Sequence, residues 1–184
     1  SGNYDYKTKK LDLSKISTDF TSDKKLGHKS HLEMSLQISE LENKDRKFFF
    51  DINLANVLVD EIEKFWPITL NDNEIRTWVT NHTADGLISK ASAKFSLTQK
   101  NNLFALDNIN ADLNISDLSL KYDDNFPEIK NIKAVAKFDE KTMRINISEG
   151  DVLQSKISDG LVVIDDFTAK KVMLKISGKS NGHA

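Results

Sequence analysis

The chain has 184 residues and a mass of 20.8 kDa, which suits one domain with a core that needs no covalent staple. Hydrophobic residues at 39% and charged residues at 29% are values of a folded chain, and 26 basic against 28 acidic residues leave a formal net charge of -2. No basic field gathers nucleic acid, and the absence of cysteine removes disulfide frameworks, thiolate nucleophiles and cysteine-ligated zinc.

The stretch from Tyr4 to Phe20 is irregular and reads as two edge strands. Clear period-two alternation, the mark of a strand with one face inward and one in water, begins at Leu32, Met34, Leu36 and Ile38 and returns at Phe48, Phe50, Ile52 and Leu54. From Val57 to Trp66 the apolar spacing turns helical through Val57, Leu58, Ile62, Phe65 and Trp66, and Pro67 ends it. A second helix follows, capped by Asn71 or Asp72, with Ile75, Trp78 and Val79 on one face and Gly86 as a left-handed exit. The two make a short helical hairpin at about 57–85.

Alternation resumes at Ala91, Ala93, Phe95 and Leu97 and continues through Ile109, Ala111, Leu113 and Ile115. It then shifts parity by one residue before Leu118, Leu120 and Tyr122, which places a β-bulge near Ser116-Asp117. Ile132, Ala134, Ala136 and Phe138 form the next run, followed by Met143, Ile145 and Ile147, by Leu161 to Ile164, and by Val172, Leu174 and Ile176. Turn chemistry falls at Asn43-Lys44-Asp45, Gln99 to Asn102, Asp123-Asp124-Asn125, Asp139-Glu140-Lys141, Glu149-Gly150 and Ser158-Asp159-Gly160. Loops this short make consecutive strands antiparallel neighbours, because a parallel crossover needs a dozen or more residues.

Two short helices cover about four strands of one sheet face, and the pattern holds about nine or ten strands. The remaining apolar surface is hidden by a second sheet or a closed barrel, or it stays open as a groove. The expected fold class is therefore mainly β: a curved antiparallel sheet, as a β-groove or a partly open, taco-like barrel, with one short helical hairpin.

Few residues carry a chemical signal. His28, His31, His82 and His183 have no zinc-binding spacing, and Asp123-Asp124 and Asp165-Asp166 sit beside turns, where Asp is favoured for local hydrogen bonding. No nucleophile elbow and no glycine-rich phosphate loop occurs. No catalytic residue, metal ligand or cofactor is assigned, and the chain reads as non-catalytic. Trp66 and Trp78 are expected to pack into the core, and Arg76 to be solvated or ion-paired.

Phe65-Trp66-Pro67, then Arg76, Trp78 and Gly86, lead into the strand Ile88 to Leu97. Later come Leu118-Ser119-Leu120-Lys121-Tyr122, a short polar loop, and Pro127-Glu128-Ile129. In this order the segments resemble the AsmA-like repeat of the YhdP and TamB group of bacterial envelope proteins, most strongly over 53–178. The resemblance implies a long curved sheet with an apolar inner face, in a periplasmic protein anchored to the inner membrane and involved in phospholipid transport between inner and outer membranes. It makes this chain, as one β-rich domain over 1–184, a fragment of a longer protein whose anchor lies outside it.

On that basis Phe95, Leu97, Leu113, Ile115, Leu120, Ile145, Ile147 and Val163 are the expected lipid-binding lining. The partners implied are phospholipid acyl chains, adjacent β segments of the same protein, and the membrane. The rival expectation is a structural or adaptor module with a filled core, pairing edge to edge with its neighbours.

Overall fold

The computed structural model describes residues 1–41, 45–65, 73–166, 169 and 172–182. Ten strands lie in one sheet in the order of the sequence, every pair antiparallel. They are β1 (Gly2–Asp5), β2 (Lys10–Thr21), β3 (Lys29–Ser39), β4 (Arg46–Leu58), β5 (Thr83–Lys100), β6 (Leu103–Leu120), β7 (Ile129–Asp139), β8 (Met143–Val152), β9 (Ser155–Ile164) and β10 (Leu174–Gly182). A 3₁₀ helix (Val59–Phe65) and α1 (Asn73–His82) connect β4 to β5. β1 and β10 do not pair, so the sheet stays open, and the sandwich left possible by the sequence does not form.

Positive φ at Lys15, Asp117, Asn131 and Asp159, inside strands, falls where the ladders slip, and Asn56 and Asp85 take the same conformation inside strands whose register holds. The bulge expected near Ser116-Asp117 is there, with Asp117 at φ 56 and a register shift between Ile115 and Leu118. Asn and Asp tolerate the left-handed conformation better than other side chains, and each extra residue bends its strand and tightens the twist. The sheet curls towards its apolar side: along β7, Ile132, Ala134 and Ala136 are buried while Lys133, Val135 and Lys137 are exposed, although no second sheet lies over them.

The same bulges explain where the sequence misled. Val57 and Leu58 continue β4, paired with Ile88 and Leu87, and only at Val59 does the chain turn helical. Asn56, at φ 57, breaks the alternation, and Leu54 and Val57 then stand three apart like neighbours on a helix face. Gly86 does not end a helix but sits within β5 at φ 79 beside Asp85. The end of α1 is satisfied by side chains instead: His82 Nδ1 donates to the Trp78 carbonyl at 2.8 Å and Thr83 Oγ1 to that of Val79 at 2.7 Å. Glu149-Gly150 lies inside β8 and Ser158-Asp159-Gly160 inside β9, with the true turn at Leu153-Gln154. A bulge and a turn ask for the same residues. Asn71, Asp72, Trp66, Pro67 and the turn residues Asn43 and Lys44 lie outside the described residues, as do the side chain of Ile75 and its place on the helix face.

The one compact core is small. Val57, Val59 and Ile88 are buried, with Leu54, Ile62, Phe65, Ala91, Leu113, Ile115 and Leu118 packed around them. Ile62 and Phe65 thus lay the 3₁₀ helix on the apolar side of β4–β6. On its outer side Glu61, 3% exposed, accepts from the Asp23 N–H at 3.0 Å and from Lys64 Nζ at 2.9 Å, and Lys64 also reaches Asp23 at 2.7 Å. Burial pushes the Glu61 carboxyl up, but hydrogen bonds from Lys64, Asp23 and Ser22 outweigh it and hold the group below the usual glutamate range. Asp60 accepts from the Asp85 N–H at 3.2 Å, and Glu63 pairs with Arg76 at 2.6 Å, which ties the helix to β5 and α1.

Glycine position offers a first test. An added Cβ at Gly86 would stand 3.0 Å from Leu118 Cα and 3.2 Å from the Ser116 carbonyl, whereas at Gly27, φ 77, it meets nothing within 4 Å. Urea unfolding should show Gly86→Ala costing roughly 2–3 kcal/mol and Gly27→Ala only about 1 kcal/mol; equal costs would mean the Gly86 bulge does not approach Leu118. A second test uses pH. With its pKa lowered by folding, Glu61 contributes fully above the ordinary glutamate range, and that contribution fades as pH falls through the folded value. Glu61→Gln should lower stability at neutral pH by about 1–3 kcal/mol and flatten the acid limb of a melting-temperature profile below that range. An unchanged acid limb would show that Glu61 is not held ionised by the fold.

Candidate functional site

Residues opposite each other on neighbouring strands share a sheet face, so the pairings can be followed from strand to strand. One row runs from Ile16 through Met34, Ile52, Ala93, Ala111, Phe138, Met143 and Ile164 to Leu174. The next runs from Leu32 through Leu54, Ala91, Leu113, Ala136, Ile145 and Val162 to Ile176. No polar side chain interrupts either row. At about 4.8 Å between strands, the nine-strand row is an apolar track about 38 Å long, crossing the sheet from β2 to β10. It is open at both limits: Ile16 is 40% exposed at one, Leu174 and Ile176 are 36% and 66% exposed at the other.

The opposite face is water-loving. The row behind the track reads Glu33, Asn53, Ser92, Asp112, Lys137, Arg144, Val163 and Lys175. Cross-strand ion pairs cover it, among them Lys94 with Asp51 at 3.2 Å, Lys137 with Asp112 at 3.3 Å, Lys133 with Glu149 at 2.8 Å and Lys175 with Asp165. Such exposed pairs contribute little stability each, but they decide which face can meet water. Ser17, His31 and Asp19 also stand there, with His31 Nδ1 2.7 Å from Asp19 and Nε2 3.4 Å from Ser17. His31 and Asp19 are 46% and 59% exposed, and in open water such an order gains little of the strength an enclosed site gives it.

Seven of the eight residues expected as lining share the apolar face. Leu113 and Ile145 lie in the second row of the track. Phe95 stands between Phe50 and Ile109, and Leu97 between Phe48 and Leu106. Ile115 and Ile147 flank Ala134, and Leu120 pairs with Ile129. Val163 is the correction: it pairs with Arg144 and Lys175 on the outer face, and Val162 holds the inner position. A continuous run such as Leu161 to Ile164 carries no alternation, so only the partner strand reveals its parity. The expected set also omitted Ala93, Ala111 and Ala136, whose small side chains floor the track within visibly alternating runs.

Trp78 is not a core residue. It is 40% exposed, stacks on His82 with ring centroids 4.9 Å apart, and meets Tyr122 at 6.0 Å, which meets Phe126 at 6.3 Å. Trp66 lies outside the described residues. Among the described residues, no helix is long and apolar enough to cross a membrane, and no group of three His, Asp or Glu side chains is placed to hold a metal ion.

The folded chain exposes 12475 Å², where a compact monomer of 20.8 kDa exposes about 9,000 Å². The excess is what a single unlayered sheet produces. Comparison with known proteins found no match among curated proteins and none among solved structures. The family model described as YhdP protein matches residues 9–184, which takes in all of β2, β3 and β4, ahead of the segments that carry the resemblance. With a two-row apolar track on an open sheet, and with this match over nearly its whole length, the chain belongs to the YhdP family of bacterial envelope proteins.

Proposed function

We propose that the chain is a segment of a lipid conduit, in which the track carries phospholipid acyl chains between the inner and outer membranes. The observation that carries this reading is the pair of apolar rows that cross β3–β10, one of them reaching β2, and end on the exposed Ile16 at one side and Leu174 and Ile176 at the other. An acyl chain of about sixteen carbons costs on the order of 12 kcal/mol in water, at about 0.8 kcal/mol per methylene. A surface that offers the chain the same shelter all along its path removes that barrier, and no chemistry or fuel is needed in the segment itself. Headgroups stay in water while the chains slide over Ala93, Ala111, Leu113 and Ile145.

The edge of β10 supports the second half of the reading. It is nine residues long and exposed throughout, and its free backbone donors and acceptors suit an adjacent β segment of the same protein. Added there, further strands prolong the two rows. The segment then works in the periplasm, with the membrane anchor supplied by another part of the protein.

Two substitutions on the same part of the sheet separate a lipid track from a merely exposed surface. Ile145→Glu puts a charge on the track and should abolish acyl-chain uptake, read by native mass spectrometry after incubation with phospholipid vesicles. Val163→Glu, on the outer face, should leave uptake within about a factor of two of the parent, since outer-face substitutions are nearly neutral. Equal loss in both, or no uptake by the parent chain, would remove the conduit reading.

A further inference from the structure

Leu118 and Leu120 of β6, paired with Ile132 and Ile129 of β7, carry the apolar face to the helix end of the sheet, where Tyr122 follows. Three exposed rings stand there in a chain. Trp78 of α1 meets Tyr122 at 6.0 Å and 66°, and Tyr122 meets Phe126 at 6.3 Å and 80°. Rings in close edge-to-face contact stand nearer, as Phe20 and Phe65 do at 5.3 Å. Wide angles with this longer spacing suit a cation: in a right-angled corner between two rings it lies about 4.5 Å from each centroid, inside the ~6 Å over which an aromatic face attracts it.

The charges of the loop agree. Glu128 is paired with Lys130 at 3.2 Å, which leaves Asp123 and Asp124 against Lys121. Two hydrogen bonds from Asn125 hold the Asp123 carboxyl below the usual aspartate range, and the carboxylate lies within electrostatic reach of His82, on which Trp78 stacks. Lys121 turns its ammonium to the carbonyls of Phe126 and Asp124, at 2.9 and 3.5 Å. Resting on the conduit reading, we propose that Trp78, Tyr122, Phe126 and Asp123 hold the headgroup of lipids that carry an ammonium group, while the acyl chains lie on the sheet. The ring faces and the carboxylate attract the cation, and Lys121 suits the phosphate that such a headgroup also carries. A headgroup with phosphate but no ammonium gains Lys121 alone and is opposed by Asp123 and Asp124.

The test offers the 184-residue chain vesicles with equal amounts of dioleoyl-phosphatidylethanolamine and dioleoyl-phosphatidylglycerol, alike in their acyl chains, and counts bound lipid by native mass spectrometry. The parent should prefer the ethanolamine lipid by roughly two- to fivefold. Trp78→Ala and Tyr122→Ala should bring the ratio towards one, and Tyr122→Phe, which keeps the ring, should leave it as in the parent. A preference that came only from the chain's net charge of -2 would survive the loss of a ring. Circular dichroism identifies a variant that fails to fold, and the other ring variant then carries the comparison. Equal uptake by the parent, or an undiminished preference in a folded ring variant, overturns the headgroup site while leaving the conduit standing. Uptake of neither lipid by the parent overturns both.

Discussion

The rest of the structure depends on one constraint: the described strands turn most of their apolar side chains to the same face of a single sheet, and no second sheet covers it. A sheet with one greasy face normally buries it against another element. Here the bulges curl the sheet so that neighbouring side chains shelter one another, and that shelter is partial. Among the described residues Val57, Val59 and Ile88 form a compact core, and they do so where the 3₁₀ helix supplies the missing layer. The large exposed area and the uncapped rows both follow from this arrangement.

Alternation was legible because it is set by backbone geometry, and so were the antiparallel meander and the bulge at Asp117, whereas alternation alone does not say whether the apolar face is covered. What stayed illegible has one physical origin. Polar residues with a left-handed backbone serve turns and bulges equally well, so Ser158-Asp159-Gly160 and Gly86 read as punctuation when they are kinks inside continuous strands. The left-handed residue Asn56 turned a strand end into a helical spacing, and the unbroken apolar run at Leu161 to Ile164 hid that Val163 faces outward. The polar anchor at Glu61 left no trace, since Asp23, which its carboxylate holds, lies in a loop 38 residues away.

The two faces divide the work. Outward, lysines and acids alternate across strands and give the sheet a hydrated back. Inward, the helix anchored by Glu61 rests on the apolar surface over β4–β6, where its Ile62 and Phe65 pack onto the core. The core therefore sits at β4–β6, while over β7–β10 no described helix lies on the rows.

Strand order that follows chain order has a consequence for assembly. Each new hairpin needs only the one before it as a template, so loop-closure entropy stays small at every step and the structure can grow as the polypeptide is exported, residue by residue. Length then becomes a free variable. A sheet built this way can gain or lose hairpins without redesign of the small core over β4–β6, since each strand rests on its neighbours.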